Sequence, residues 1–444
     1  MKPKERYKKL KYHLLQENKI LVDAIDEYEK LDKIAKKIGF LEENKTFTQD
    51  ISWWPLISVL GTFSSGKSSF INEYIDQNIQ STGNQAVDDK FTVVCYSNTK
   101  DVITLPGIAL DADPRFPFYN ISKEIEKIDS EANINKYLQL KGVNSENIKG
   151  KILIDSPGFD ADTQRDEILK ITEHIIDISD LVMIFFDARH PEPGAMRDTL
   201  NHLVEVSKNH KDSDKVLYIL NQIDTCSKEN NLEDIIGSWQ RALAQKGIVS
   251  GKFYAIYNES VATIEDENLK RKKEKDLQEI LEKMDNVLID RSYRIIKNIK
   301  TKAKDMLNAI PRLKEKLNRF KNTLLIFDIA IFILLALGLF FINELISSTN
   351  IFYAIVALFI LVFIFLHFKA KSFISKFIAK RVDDEFLKQA FIFQTKWYKP
   401  YLLAPSRVTN RSIKNSLEKL IEDSKLYIQR LNDQFITFTH KEAK

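Results

Sequence analysis

The chain predicts an α/β phosphate-loop domain, with a mixed, mostly parallel sheet and helices on both faces, joined to an α-helical bundle and a two-helix transmembrane hairpin. Three observations carry this reading. An apolar run ending at Leu60 leads into Gly61 to Ser68 in the spacing G-x-x-x-x-G-K-S, followed by a helix-like tail. Further apolar runs end in Asp155 and in Asn221-x-x-Asp224, in the order such a domain requires. Two apolar segments, 323–342 and 351–368, are each long enough to cross a bilayer at 1.5 Å rise per residue.

Taken from the amino terminus, residues 5–41 place Leu10, Leu14, Leu21, Ile25, Tyr28, Leu31 and Ile34 at helical spacing among charges. That pattern is an amphipathic helix that needs a bundle to bury it. Trp53, Trp54 and Pro55 separate it from the first strand. In the loop, Gly61 and Gly66 let the backbone curl so that amides, including those of Ser64, Ser65 and Ser69, face a phosphate. Lys67 adds charge near the β- and γ-phosphates, and the Ser68 hydroxyl is a ligand for Mg²⁺. The strand KILIDSPGF at 151–159 supplies Asp155 as the second metal ligand, through water, and Gly158 as a γ-phosphate sensor. LVMIFFDA at 181–188 and VLYILNQID at 216–224 read as two more strands. In G proteins the position of Asp224 accepts two hydrogen bonds from guanine, while that of Asn221 ties loops together.

After about residue 263 the chain turns helical again and runs past Pro311 to the first apolar segment. A third helical stretch follows the hairpin, from Phe373 to about Thr439, interrupted at Pro400 and Pro405. One bundle made from all three stretches is the expected assembly. Segment 323–342 carries one charge, Asp328, for which snorkelling, pairing across the hairpin and contact with a partner are the alternatives; segment 351–368 reads as uncharged. Arg319 and Lys321 stand before the hairpin, and Lys369, Lys371 and Lys376 after it. The turn offers only Glu344, so both termini belong on the cytoplasmic side.

At 444 residues the chain is long enough for about three units. A net charge of +4 over 66 basic and 62 acidic residues gives no reason to expect nucleic acid. Two cysteines, Cys95 and Cys226, offer neither a disulfide framework nor a zinc site. The basic amino terminus lacks the apolar core of a secretory signal.

Lys67 and Asp155 stand 88 positions apart, a longer gap than a minimal G domain needs. LPGIALDADPRFPF at 105–118, with GTFSSGKSSFI, IDSPGF, FFDA and LNQID, resembles the EH-domain ATPase branch of the dynamin superfamily over roughly residues 50–260. The central hairpin resembles the layout of mitofusins and bacterial dynamin-like proteins. The resemblance implies a cytosol-facing nucleotidase that self-assembles through its G domains on a lipid bilayer and remodels it. It divides the chain into 1–50 (bundle), 51–262 (G domain), 263–322 (stalk), 323–368 (hairpin) and 369–444 (bundle). Four features depart from the pattern. No EH domain is expected from these residues; Phe63 stands where dynamins proper carry a glutamine and the EH-domain branch an aromatic; and 86–91, Ala-Val-Asp-Asp-Lys-Phe, lacks that branch's switch I threonine pair, for which Thr82 or Thr92 are the substitutes. Gln222 replaces the lysine that packs along the base. The expected activity is slow, assembly-stimulated hydrolysis of GTP with Mg²⁺. Ser64, Lys67, Asp155 and Gly158 carry catalysis, and ATP is the alternative nucleotide. The rival reading is a non-enzymatic, nucleotide-gated membrane scaffold; a nucleotide-driven pore has little to build on.

Overall fold

The computed structural model describes residues 2–62, 64–80, 90–119, 121–126, 133–158, 166–189, 215–224, 232–248, 252–259, 267–345 and 349–436. They fall into two compact units, 49–292 and a second made of 1–48 with 293–444.

The first unit is built on one sheet of β1 (Leu56–Gly61), β2 (Phe91–Tyr96), β3 (Ile103–Pro106), β4 (Leu138–Val143), β5 (Ile152–Asp155), β6 (Leu181–Asp187), β7 (Val216–Asn221) and β8 (Lys252–Ala255). Its order is β3-β4-β2-β5-β1-β6-β7-β8. β5, β1, β6, β7 and β8 run parallel, whereas β2 is antiparallel to β5 and β3 to β4. The central strands are buried at every position because both faces are covered, which gives the unbroken apolar runs seen in the sequence. Leu60, Ile184 and Phe186 point to one face, under the helices Asp166–Ile178 and Leu232–Gln245. Trp239 closes that face, with its ring edge-on to Phe186 at 5.6 Å. Val59, Met183 and Phe185 point to the other, where Phe70 and Ile71 of the helix Lys67–Ile75 cover them.

Ile280 and Met284 of the helix Glu267–Asp285 are fully buried in this second apolar layer. Residues 267–292, counted with the stalk in the sequence reading, therefore group with the sheet. The reason is that this helix spends its apolar stripe on the strands.

The second unit is helical. Its amino-terminal pattern forms two helices, Pro3–Glu17 and Lys19–Ile38, rather than one. Asn18 breaks the run with an extended backbone, and its side chain accepts from Ile20 N–H at 2.9 Å, capping the second helix. That helix stops at Gly39, where φ is +98° and an added Cβ would collide with the Phe393 ring. Gln394 finishes the end by donating to Ile38 O at 2.7 Å. Leu10, Leu14, Leu21, Ile25 and Leu31 are buried, and Tyr28 donates to Ile295 O at 2.9 Å. So the first helical stretch packs against the stretch before the hairpin, as the bundle reading requires.

Val287–Leu345 is one helix that carries Pro311 internally, and Thr349–Ala379 is a second. Both meet the length and composition test for membrane spans, and none of either apolar window is buried. Asp328 does pair across this hairpin. His367 Nδ1 lies 2.9 and 3.0 Å from its two carboxylate oxygens, and Tyr401 donates to it at 3.2 Å. Segment 351–368, read from sequence as uncharged, places His367 opposite the one acid.

Candidate functional site

The strand register gathers the chemistry at one edge of the first unit. Val59 pairs with Asp155, Gly61 with Phe185 and Asp187 with Asn221. The carboxyl ends of β5, β1, β6 and β7 therefore open side by side, where parallel α/β sheets bind ligands.

Between β1 and the helix Lys67–Ile75, Ser64 and Gly66 adopt φ of +58° and +84°. At Gly66 an added Cβ would run into Asn221 Nδ2, so only glycine fits. The contact also serves as a brace, because Asn221 donates to Ser65 O at 2.9 Å. Next to it, Gln222 (φ +64°) donates to Ser64 O at 2.5 Å. Arg189, forked onto Asp187 at 2.6 and 3.0 Å, reaches the same Ser64 carbonyl at 3.3 Å. Three side chains thus hold the carbonyls of Ser64 and Ser65. The helix begins without acceptors for its first amides: Phe70 N–H is bonded to Gly66 O, and the N–H groups of Lys67, Ser68 and Ser69 precede it.

Lys67 is buried and donates to Gly61 O at 3.0 Å and Thr62 O at 2.9 Å. Burial pulls its ammonium down to about 8, against the attraction of Asp155. Asp155, at the end of β5, lies 3.5 Å from the Ser68 hydroxyl, which donates to it. Among the described residues no group of three or more His, Cys, Asp or Glu is placed to hold a metal ion. One hydroxyl beside one carboxylate does fit Mg²⁺, which keeps most of its waters and takes phosphate oxygens as further ligands. Asp224 is half-buried, and that burial pushes its carboxyl above the ordinary range, with Arg189 pulling the other way.

Ser64, Ser65, Gly66, Lys67, Ser68, Ser69, Asp155, Asn221 and Asp224 all lie at this edge, and Gly158 ends the described stretch after β5. Phe63, Thr82 and 86–89 lie outside the described residues. Thr92 stands within β2, opposite Asp155, where its hydroxyl accepts from Gln139 at 2.7 Å.

Sequence reasoning missed a second layer. Gln80 donates to Asp155 at 2.6 Å and accepts from Lys141 at 2.6 Å. Asn72 fixes it in place, accepting from Ile79 and Gln80 N–H and donating to Gln80 O at 2.8 Å. A glutamine in an unpatterned stretch carries no signal. The Asp187-x-Arg189 spacing after an apolar strand was the one legible hint.

The curated relatives match less than half of the chain. EH domain-containing protein 1 from Bos taurus is 27% identical over 208 residues, covering 43% of this chain and 36% of the relative. EH domain-containing protein 3 from Homo sapiens is 26% identical over 179 residues, 38% of this chain and 31% of the relative. The chain thus spans about a third of the length of the curated relatives it matches. A solved structure described as an oligomerised bacterial dynamin pair, for long-range sensing and tethering of membranes, aligns over 92% of this chain and 78% of its own. It does so at 17% identity and a TM-score of 0.38. Residues 57–223 match the model of the Dynamin family, and this segment accordingly has dynamin-superfamily affinity.

Proposed function

We propose that the chain is a membrane-anchored, dynamin-like nucleotidase that hydrolyses GTP, assembles through its G domains and remodels the bilayer holding its hairpin. One observation carries the reading. Asn221 and Gln222, at the end of the strand expected to read the base, brace the carbonyls of the loop expected to hold the phosphates. The two half-sites are built as one.

In this reading the amides of 64–69 and Lys67 bind the phosphates, Ser68 and Asp155 hold Mg²⁺, and Gly158 senses the γ-phosphate. Asp224 accepts from guanine, which favours GTP over ATP. Mg²⁺, when bound, neutralises charge building on the β- and γ-oxygens. Gln80 holds Asp155 toward the metal, and Lys67 orients the transferring group. The proposed layout keeps the hairpin at 323–368, with both termini cytoplasmic, and moves the end of the nucleotide domain from 262 to 292.

Thr92, engaged by Gln139 inside β2, favours the second reading, a scaffold that binds nucleotide without turning it over. Turnover of GTP and of ATP by the full chain, in detergent and in vesicles, separates the two. Stimulation in vesicles, greater with GTP, is the expected result; no stimulation together with a basal rate unchanged by Lys67→Ala would sink the enzyme.

Lys67 also predicts a pH dependence. Its folded value of about 8 lies below the ordinary 10.5, so the ligand-free fold sheds this proton before the unfolded chain does. This group's contribution to stability is therefore least below about pH 8 and rises up to about 10.5. Nucleotide binding needs the charged form, so affinity falls by at most about tenfold per pH unit above that folded value. Calorimetric titrations from pH 7 to 9.5, roughly bracketing it, should reveal the decline, and Lys67→Arg should flatten it.

A further inference from the structure

The helix Thr349–Ala379 runs on past its apolar segment and meets the turn at 395–403. The Trp397 ring packs edge-on against Phe368, 6.3 Å between centroids, and Tyr401 reaches Asp328. This turn is continuous with the base of the hairpin.

It also concentrates positive charge. Lys371 is 3% exposed and donates to two main-chain carbonyls, Trp397 O at 2.8 Å and Lys399 O at 2.7 Å. Lys396 and Lys399 both approach the Phe393 ring, at 5.2 and 3.2 Å from its centre. Arg407 donates to Pro400 O. Among the described residues none of these four cations has a carboxylate at ion-pair distance; Glu43 acts on Lys399 only from farther away. Burial and the neighbouring Arg407 lower the Lys371 ammonium. The same causes, with Lys396, pull Lys399 down to about 8. The cluster lacks an anion. Beside it, Trp397 and Tyr398 are 72% and 56% exposed, the residue types that settle at a bilayer's headgroup level.

We propose that the 395–407 turn, with Lys371 behind it, is a headgroup site for an anionic phospholipid at the foot of the hairpin. The phosphate and its excess negative charge sit among Lys396, Lys399 and Arg407, while Trp397 enters the interface. Zwitterionic lipid offers the same phosphate but brings its own cation, so it leaves the cluster unneutralised. The inference rests on the reading that 323–368 lies in the bilayer.

The test uses the full chain in vesicles that contain either brominated phosphatidylglycerol or brominated phosphatidylcholine. Quenching is assigned to Trp397 by difference from Trp397→Phe. The expected result is stronger quenching by the anionic lipid, a preference that falls about fivefold for each cation removed. It should vanish in Lys396→Gln/Lys399→Gln/Arg407→Gln, while quenching by phosphatidylcholine persists and shows that the variant is still folded and inserted. Equal quenching by both lipids in the parent chain overturns the proposal, as does a preference unchanged in the triple variant. Loss of the preference on adding inorganic phosphate overturns it in favour of a soluble anion. Quenching by neither lipid fails the bilayer reading itself, and the proposal with it.

Discussion

Lys67→Met is expected to reduce nucleotide turnover by at least about a hundredfold, the loss that follows removal of one preorganised group from a charge-stabilising site. Phosphoryl transfer leaves a protein little to do beyond positioning and neutralising charge, so a buried ammonium at the loop weighs heavily. The methionine keeps the stem and removes the charge. Its effect on the ligand-free fold should have the opposite sign. Burial holds the Lys67 ammonium down at about 8, which means the fold bears an unfavourable charge when no phosphate is present. Thermal melting without nucleotide should therefore rise or stay level in the variant, while the stabilisation by GTP that the proposed function predicts for the parent chain should disappear. Stability stored against function in this way is common where a site must stay charged for its ligand. A variant that retains parental turnover would remove Lys67 from the chemistry. A variant that simply melts early would mean that its bonds to Gly61 and Thr62 are structural.

The strands that bear motifs were legible because each is an apolar run that ends in a polar group. β1, β5, β6 and β7 end within a few residues of where the pattern placed them. β2, β3 and β4 were not read. They lie in the long stretch between Lys67 and Asp155, where β3 is exposed along its length and β4 alternates only in part. An edge strand held by backbone pairing leaves a weak imprint on side-chain choice. The break at Asn18 was hidden for another reason: Leu14 and Leu21 keep helical phase across it, and a single cap residue decides the matter. Gln80 was invisible because its role comes from the tertiary meeting of β4, β5 and the helix Lys67–Ile75. His367 was overlooked because a neutral imidazole passes as part of an apolar run until the chain folds back over 39 residues to Asp328.

That pair gives the second large effect. His367→Ala is expected to destabilise the hairpin by about 1–3 kcal/mol, the cost of leaving a half-buried polar group without its partner. Asp328→Ala should cost less. Without Asp328 the imidazole keeps its ring contacts with Phe368 and Tyr401, whereas without His367 the carboxylate loses its nearest partner. Tyr401 softens the first loss, since its hydroxyl still donates to Asp328, so Tyr401→Phe added to His367→Ala should deepen it. The double variant Asp328→Ala/His367→Ala should recover most of the stability, because neither polar group is then left without its partner. Unfolding of the four proteins in the same micelles gives a double-mutant cycle, and its coupling energy is the quantity that decides. Strong coupling means that Asp328 and His367 latch the two spans together. Additive losses would mean that each side chain faces its own surroundings, and the hairpin would then be held by its apolar contacts alone.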